Sequence, residues 1–185
     1  MVSTKAYHHG DLRRALLAAA AEAIGESGPA ALSLRDLARR VGVSHAAPTH
    51  HFGDKAGLLT ALAAQGFDLL AEELRRSGTD LLEAGVGYVR FAVRHRAHFE
   101  VMFAPGLYRR DDPEVTAARA RSTAALQAVI ADHPGVDQSD PQATRLATWS
   151  VVHGFVTLWL SGALPAEVGT DPEAAARTVI PLLFH

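Results

Sequence analysis

Six of the ten histidines stand in close pairs: His8-His9, His50-His51, and His95 with His98. Paired imidazoles can ligate a metal, and His95 and His98, three residues apart, would share one helix face. No acidic residue or third histidine stands at a diagnostic spacing from any pair, and cysteine is absent. We therefore expect no metal site. The lack of cysteine also excludes a disulfide framework and a thiolate nucleophile, and it suits a reducing cytoplasm. Nucleophilic and phosphate chemistry are equally unsupported, because the chain has no Gly-x-Ser-x-Gly elbow, no Gly-rich phosphate loop and no paired-carboxylate signature. Asp111-Asp112 runs into Pro113 as a cap and turn, and Arg109-Arg110 reads as a solvated loop. The expectation is a protein that is not an enzyme and needs no cofactor.

A different chemistry, enclosure of a small apolar molecule, is offered by Tyr88, Phe91, Phe99, Met102, Phe103 and Tyr108 in mid-chain, with His95 among them. Trp149 and His153 can join them. The same residues also serve as ordinary core, and both readings stay open. A pocket built from them would be mainly apolar with a few polar contacts.

The elements that must position these residues are helices. Alanine and leucine dominate, no run of alternating β-branched residues occurs, and turn signals divide the chain into about nine segments. The fold class is all-α. Helix one is expected over about Asp11–Glu26, with Leu12, Leu16, Ala19 and Ala23 on its buried face. Helix two follows Ser33, whose hydroxyl can cap it, with Asp36 three residues on as a variant capping box. Leu34, Leu37, Ala38 and Val41 form its inner stripe, and Gly42 closes it in the left-handed conformation. Ser44 then caps a short third helix that stops before Gly53-Asp54, with Pro48 as its fourth residue and one backbone bond forfeited. Two helices of about eight residues joined by a glycine turn form a helix-turn-helix arrangement, whose second member can lie in a major groove. A plain three-helix bundle gives the same pattern.

Helix four, from Asp54 to about Arg76, buries Leu59, Ala63, Phe67, Leu70 and Leu74. At about 33 Å it can join head and body as one strut. The charges divide along the same line. Residues 1–60 hold seven Lys/Arg against five Asp/Glu, a net of +2, and five of the histidines, while the remainder nets −4. A mildly basic head permits a nucleic-acid partner. From Leu146 to Ala166 no charged residue occurs. Thr148, Ser150, His153, Thr157, Ser161 and Pro165 within that stretch argue for a buried helix rather than a membrane span. Its two stripes, Leu146-Trp149-His153-Val156-Leu160 and Thr148-Val152-Phe155-Trp159, leave it apolar nearly all round. The chain's own core can cover one side, and a partner subunit is the natural cover for the other. Helix nine, about Pro172–Leu183, adds Ala175, Val179 and Leu182 at helical spacing.

The run Ser33–Leu59, SLRDLARRVGVSHAAPTHHFGDKAGLL, closely resembles the TetR family of transcriptional regulators. The ordered landmarks are the capped helix, Gly42-Val43-Ser44, His51-Phe52, Gly53-Asp54 and Lys55. Tyr7–Arg13 and Trp149 with Val152-His153-Gly154 are similar to the subgroup with a Trp-His-Gly body. The resemblance implies a helix-turn-helix DNA-binding head over residues 1–55 and a ligand-binding and dimerisation body over 56–185. It implies that Ser44, His45, Ala46, Thr49 and His50 face bases or phosphates of an operator, and that Arg35 and Lys55 pair with phosphates. It also implies a small-molecule effector at the mid-chain aromatics. The last two helices would pair into a four-helix homodimer interface that includes Val152, Phe155, Trp159, Val179 and Leu182. Two departures stand out. Thr49 occupies a position usually aromatic, and Pro48 one usually aliphatic. The expected function is a cytoplasmic, ligand-responsive repressor binding a near-palindromic operator as a dimer. The alternative is a helical ligand-binding or interaction protein whose head has lost DNA binding.

Overall fold

The computed structural model describes residues 9–131, 133 and 139–183. Among these the chain forms nine α-helices: α1 (His9–Ser27), α2 (Leu34–Val41), α3 (Ala46–Phe52), α4 (Lys55–Arg76), α5 (Leu81–Arg94), α6 (Arg96–Met102), α7 (Pro113–Ile130), α8 (Pro141–Leu160) and α9 (Pro172–Val179). Short 3₁₀ turns follow α1, α8 and α9, and no strand occurs among the described residues. Tyr7 and His8 lie outside them.

Contacts gather the chain into two compact units. The first comprises the residues up to Gln65 together with Ala97–Thr116. The second comprises Gly66–Arg96 and everything from Ala117 onward. One boundary therefore falls inside α4, between Gln65 and Gly66.

In the first unit, local chemistry fixes each early helix end. Ser33 Oγ accepts from the Asp36 amide at 3.4 Å, capping α2 as expected. At the other end Gly42 takes φ 75°, with Val43 N–H bonded to the Ala38 carbonyl and Gly42 N–H to the Arg39 carbonyl. These are the two bonds of a Schellman closure. Asp54 Oδ1 accepts from the Gly57 amide at 2.8 Å at the start of α4. The buried face of α1 is turned slightly from the expected one. Leu16, Leu17, Ala20 and Ile24 are buried, while Leu12 and Ala23 are half-buried. The reason is size: aligning Leu17 and Ile24 inward removes more apolar surface from water than aligning Ala23. Arg40 clamps Glu26 with two bonds of 2.7 Å, fixing α2 against α1.

The third helix departs from expectation at its start. It begins at Ala46, and its cap position is His45, which makes no side-chain capping bond. Ser44 contributes instead its backbone carbonyl, which accepts from Ala47 N–H. Pro48 thus becomes the third helical residue, inside the first turn, where no intrahelical N–H bond is due. No backbone bond is forfeited, and the Pro48 ring is buried.

In the second unit, α5, α8 and α9 each begin at an aspartate cap: Asp80, Asp140 and Asp171. Pro141 and Pro172 occupy the first helical positions, which need no N–H donor. Bidentate Arg90–Glu173, at 3.0 and 2.7 Å, and Arg177–Glu83 tie α5 to α9. Gly85 of α5 is a point of close approach: a Cβ there would meet Ile180 Cδ1 at 2.7 Å and Val152 Cγ1 at 3.4 Å. The inner face of α4 is the one expected. Leu59 and Ala63 are buried in the first unit, and Phe67, Leu70 and Leu74 in the second.

Candidate nucleic-acid interface and effector site

The seven residues assigned to DNA contact all lie in the first unit, on or beside α2, α3 and the start of α4. Ser44, His45, Ala46, Thr49 and His50 are exposed, and so is Arg35. Pro48 and Phe52, on the same short helix, are buried. The division follows from what each half of α3 can do. Phe52 fills the bundle, with the Arg13 guanidinium 5.5 Å from its ring centroid. Thr49 and His50 present a hydroxyl and an imidazole to solvent. Lys55 is half-buried, and its Nζ donates to the Ala30 carbonyl at 2.8 Å. That bond holds the ammonium at the start of α4 and uses one of its three protons.

Two further ties in this unit were not foreseen. Arg109, expected in a solvated loop, donates Nη2–H to Asp54 Oδ2 at 2.7 Å, and its amide donates to Thr60 Oγ1 at 3.0 Å. The Gly57 amide, first, and Arg109 hold the Asp54 carboxyl below its usual range. Gly57 leaves no room for a side chain, because its Cβ would lie 1.9 Å from the Phe52 carbonyl oxygen.

The nine residues assigned to an effector site divide between the units. Phe99, Met102, Phe103 and Tyr108 belong to the first. Phe99 and Phe103 meet edge-on at 4.9 Å between centroids, and the buried Tyr108 hydroxyl donates to the Met102 carbonyl at 3.1 Å. Tyr88, Phe91, His95, Trp149 and His153 belong to the second. There Trp149 Nε1–H donates to the Tyr88 hydroxyl oxygen at 3.1 Å, and that hydroxyl stands 2.9 Å from His153 Nδ1. Burial pushes the Tyr88 hydroxyl well above the usual phenol range and His153 below the usual imidazole value. Tyr88 therefore keeps its proton, and His153 is neutral near pH 7. The Tyr88 hydroxyl thus takes a hydrogen bond from Trp149 and shares another with His153 Nδ1. The three side chains form a hydrogen-bonded cluster between α5 and α8.

His95 and His98 do not share a helix face. His95 closes α5 with a non-helical backbone (φ −119°, ψ 44°), and His98 sits on α6. His95 stacks near Phe91 at 5.7 Å, while His98 Nε2 meets Gln65 Oε1 at 3.2 Å. Among the described residues no group of three His, Cys, Asp or Glu is arranged to hold a metal ion.

Two of the five residues assigned to the dimer interface, Val152 and Phe155, are 6% and 7% exposed within the single chain and so offer a partner little surface. Val152 faces inward where α5 and Ile180 pack closely, at Gly85. Trp159 is half-buried, and Val179 and Leu182 are exposed as expected. Exposed apolar residues of α8 are instead Leu146 and Leu158.

One polar residue escaped the sequence reading altogether. Arg145 lies three, seven and eleven residues before Thr148, Val152 and Val156, all buried, so it stands on the inward side of α8, and it is half-buried there. Its Nε is buried without a hydrogen-bond partner. The spacing was legible; a lone arginine in an apolar stripe was the signal.

Comparison with known proteins bears on this arrangement. Residues 81–183 match the family described as tetracyclin repressor-like, C-terminal domain, and residues 16–62 match bacterial regulatory proteins of the tetR family. The chain belongs to the TetR family. Its members are DNA-binding transcriptional regulators, with the helix-turn-helix in the N-terminal match. Rv0681 of Mycobacterium tuberculosis, an uncharacterized HTH-type transcriptional regulator, is 26% identical over 166 residues, 86% of this chain and 74% of that protein. A protein of unknown function from Rhodococcus sp. RHA1 superposes with a TM-score of 0.80 at 31% identity, over 97% of each chain. AibR, solved in complex with isovaleryl coenzyme A and operator DNA, superposes with a TM-score of 0.66 at 21% identity, over 93% of this chain and 97% of AibR. That last likeness is one of fold. No helix among the described residues of this TetR-family chain is long and apolar enough to cross a membrane.

Proposed function

We propose that this TetR-family regulator is a cytoplasmic, ligand-responsive repressor that binds a near-palindromic operator as a homodimer. Residues 1–55 read DNA, and residues 56–185 bind the effector and the second subunit. One observation carries the DNA assignment: α3 buries Pro48 and Phe52 while His45, Ala46, Thr49 and His50 stay exposed beside Ser44 and Arg35. His45, Thr49 and His50 reach base edges, and Arg35 and Lys55 hold phosphates. Pro48 lends no support to a degenerate head, since it sits where proline costs no backbone bond.

The second subunit covers Leu146 and Leu158 of α8 together with Val179 and Leu182 at the chain's end, the large apolar residues left exposed there. An effector in the body acts by binding the DNA-competent state less well than the other, so that its presence shifts the population away from the operator. AibR, a protein of the same fold, is solved in complex with isovaleryl coenzyme A and operator DNA.

Arg35→Ala tests the DNA assignment. Loss of one phosphate contact lowers affinity for every duplex alike and reduces the slope of log K against log salt by about 0.9. An unchanged slope contradicts the placement of Arg35 on the DNA backbone.

A further inference from the structure

Arg145 has a feature that neither the fold nor the DNA reading uses. It stands in the buried stripe of α8 and forms no ion pair among the described residues, and its Nε is buried without a partner. The other arginines that tie this unit together are matched to carboxylates: Arg90 to Glu173, Arg177 to Glu83, and Arg121 to Asp68. A desolvated guanidinium N–H left unmet is costly, and such groups in native proteins mark an ion, water or ligand that completes them.

The surroundings define what would complete it. Gly85 approaches Val152, and Tyr88 bonds to Trp149, so three residues forward along α5 correspond to three back along α8. This is an antiparallel register. Carried one turn further, it brings Arg145 to the level of Ala92, whose methyl fills little space, with Phe91 and His95 on the same part of α5. Phe91 is fully buried, and His95 lies against it. On α8 itself Trp149 and His153, both half-buried, stand four and eight residues beyond Arg145 on the same side of the helix. Burial holds both His95 and His153 below the usual imidazole value, so they are neutral near pH 7 and add no second full charge.

We propose that Arg145 is the anion-binding end of the effector site, and that the effector is a monocarboxylate with an apolar body lying against the half-buried Trp149 and His153. A planar guanidinium suits a carboxylate through two parallel hydrogen bonds. One unmatched cation calls for one negative charge, which favours a carboxylate over a phosphate dianion. A partner subunit's carboxylate is the less favoured occupant, because Arg145 shares the stripe of Val152 and Val156, whereas Ala147, Ser150, Thr157 and Leu158 face outward. The inference deepens the ligand-responsive reading and rests on it for its effect on DNA, but the binding itself needs no operator.

Calorimetric titration of the full chain with octanoate and phenylacetate, alongside octanol, phenylethanol and phenyl phosphate, tests it. The wild type binds at least one of the two carboxylates more tightly than its alcohol. Arg145→Gln weakens that carboxylate by about 10- to 100-fold and leaves the alcohol unchanged. The melting temperature of Arg145→Gln, equal to the wild type's or higher, shows that the fold is kept. Should that variant fail to fold, Arg145→Lys serves instead: it keeps the charge but loses the planar fork, and it weakens the carboxylate without affecting the alcohol. The proposal is overturned if neither carboxylate binds below about 1 mM, if phenyl phosphate is preferred, or if carboxylate affinity ignores Arg145. It is equally overturned if Arg145→Gln separates the subunits and spares ligand affinity. Carboxylate binding that leaves duplex affinity unaltered would instead refute the ligand-responsive reading while this inference stands.

Discussion

At the scale of single residues, the body of this regulator turns on one hydroxyl. Tyr88 accepts from Trp149 and hydrogen-bonds with His153 Nδ1, joining α5 to α8 through a phenol that burial keeps protonated. Tyr88→Phe removes the oxygen both partners use. It should cost about 1–3 kcal/mol in urea denaturation, and it should shift tryptophan emission because the indole loses its acceptor. His153 gives a second, opposite test through pH. Its folded-state value lies below the ordinary 6.5, so the unfolded chain takes up a proton first as pH falls. The stability present above about pH 6.5 is therefore lost as pH falls below it. The melting temperature should drop between pH 7 and pH 5, with a shallower slope in His153→Gln. An equal slope in the two proteins would show that His153 does not titrate as burial dictates. Little of this network was legible in the sequence. Tyr88, Trp149 and His153 were recognised as one set, but aromatic residues at helical spacing look alike whether they fill a core or meet through polar atoms. Arg145 was missed because helix patterning is read from apolar residues, and an arginine in an apolar stripe looks like a gap in it.

At the scale of elements, the ends of helices were easier to read than their faces. Ser33 and Gly42 act through their own backbone and side-chain chemistry, which is local, so α2 starts and stops where the sequence indicates. The start of α3 depends on neighbours. Ser44 has the hydroxyl of a cap, yet the helix begins at Ala46 and the burial of Pro48 decides the register. The faces of α1 and α8 were likewise settled by packing. Val152 of α8 turns inward because Gly85 lets α5 come close. The tightest such junction lies between α3 and α4, where the Phe52 carbonyl occupies the place a side chain at Gly57 would take. Gly57→Ala gains the better helix former but must push the two helices apart. A net loss of about 1–3 kcal/mol is expected from thermal or urea unfolding. A stabilised Gly57→Ala protein would contradict the close approach.

At the scale of the whole molecule, we propose that a DNA-reading head works with a ligand-binding, dimerising body. Family membership was legible early, because the landmarks from Ser33 to Lys55 are ordered and local. The dimer surface was not, since a helix apolar nearly all round does not say which side its own chain takes. With Val152 and Phe155 enclosed, the exposed Leu158 and Leu182 are the residues to charge. The double variant Leu158→Glu, Leu182→Glu should sediment as a single subunit while keeping its helical circular dichroism. It should also bind a full operator far more weakly than a half-site comparison predicts, because joint engagement of two heads is lost. A dimer that survives both charges lies elsewhere on the body. The central claim, that two copies of α3 read successive major grooves, is tested most directly by selecting duplexes from a random pool with the purified chain at low ionic strength. The account predicts enrichment of a near-palindrome whose half-sites are centred about one helical turn, roughly 34–36 Å, apart. A pool that stays unenriched through repeated rounds, or that yields a single unpaired half-site bound by one subunit, would contradict it.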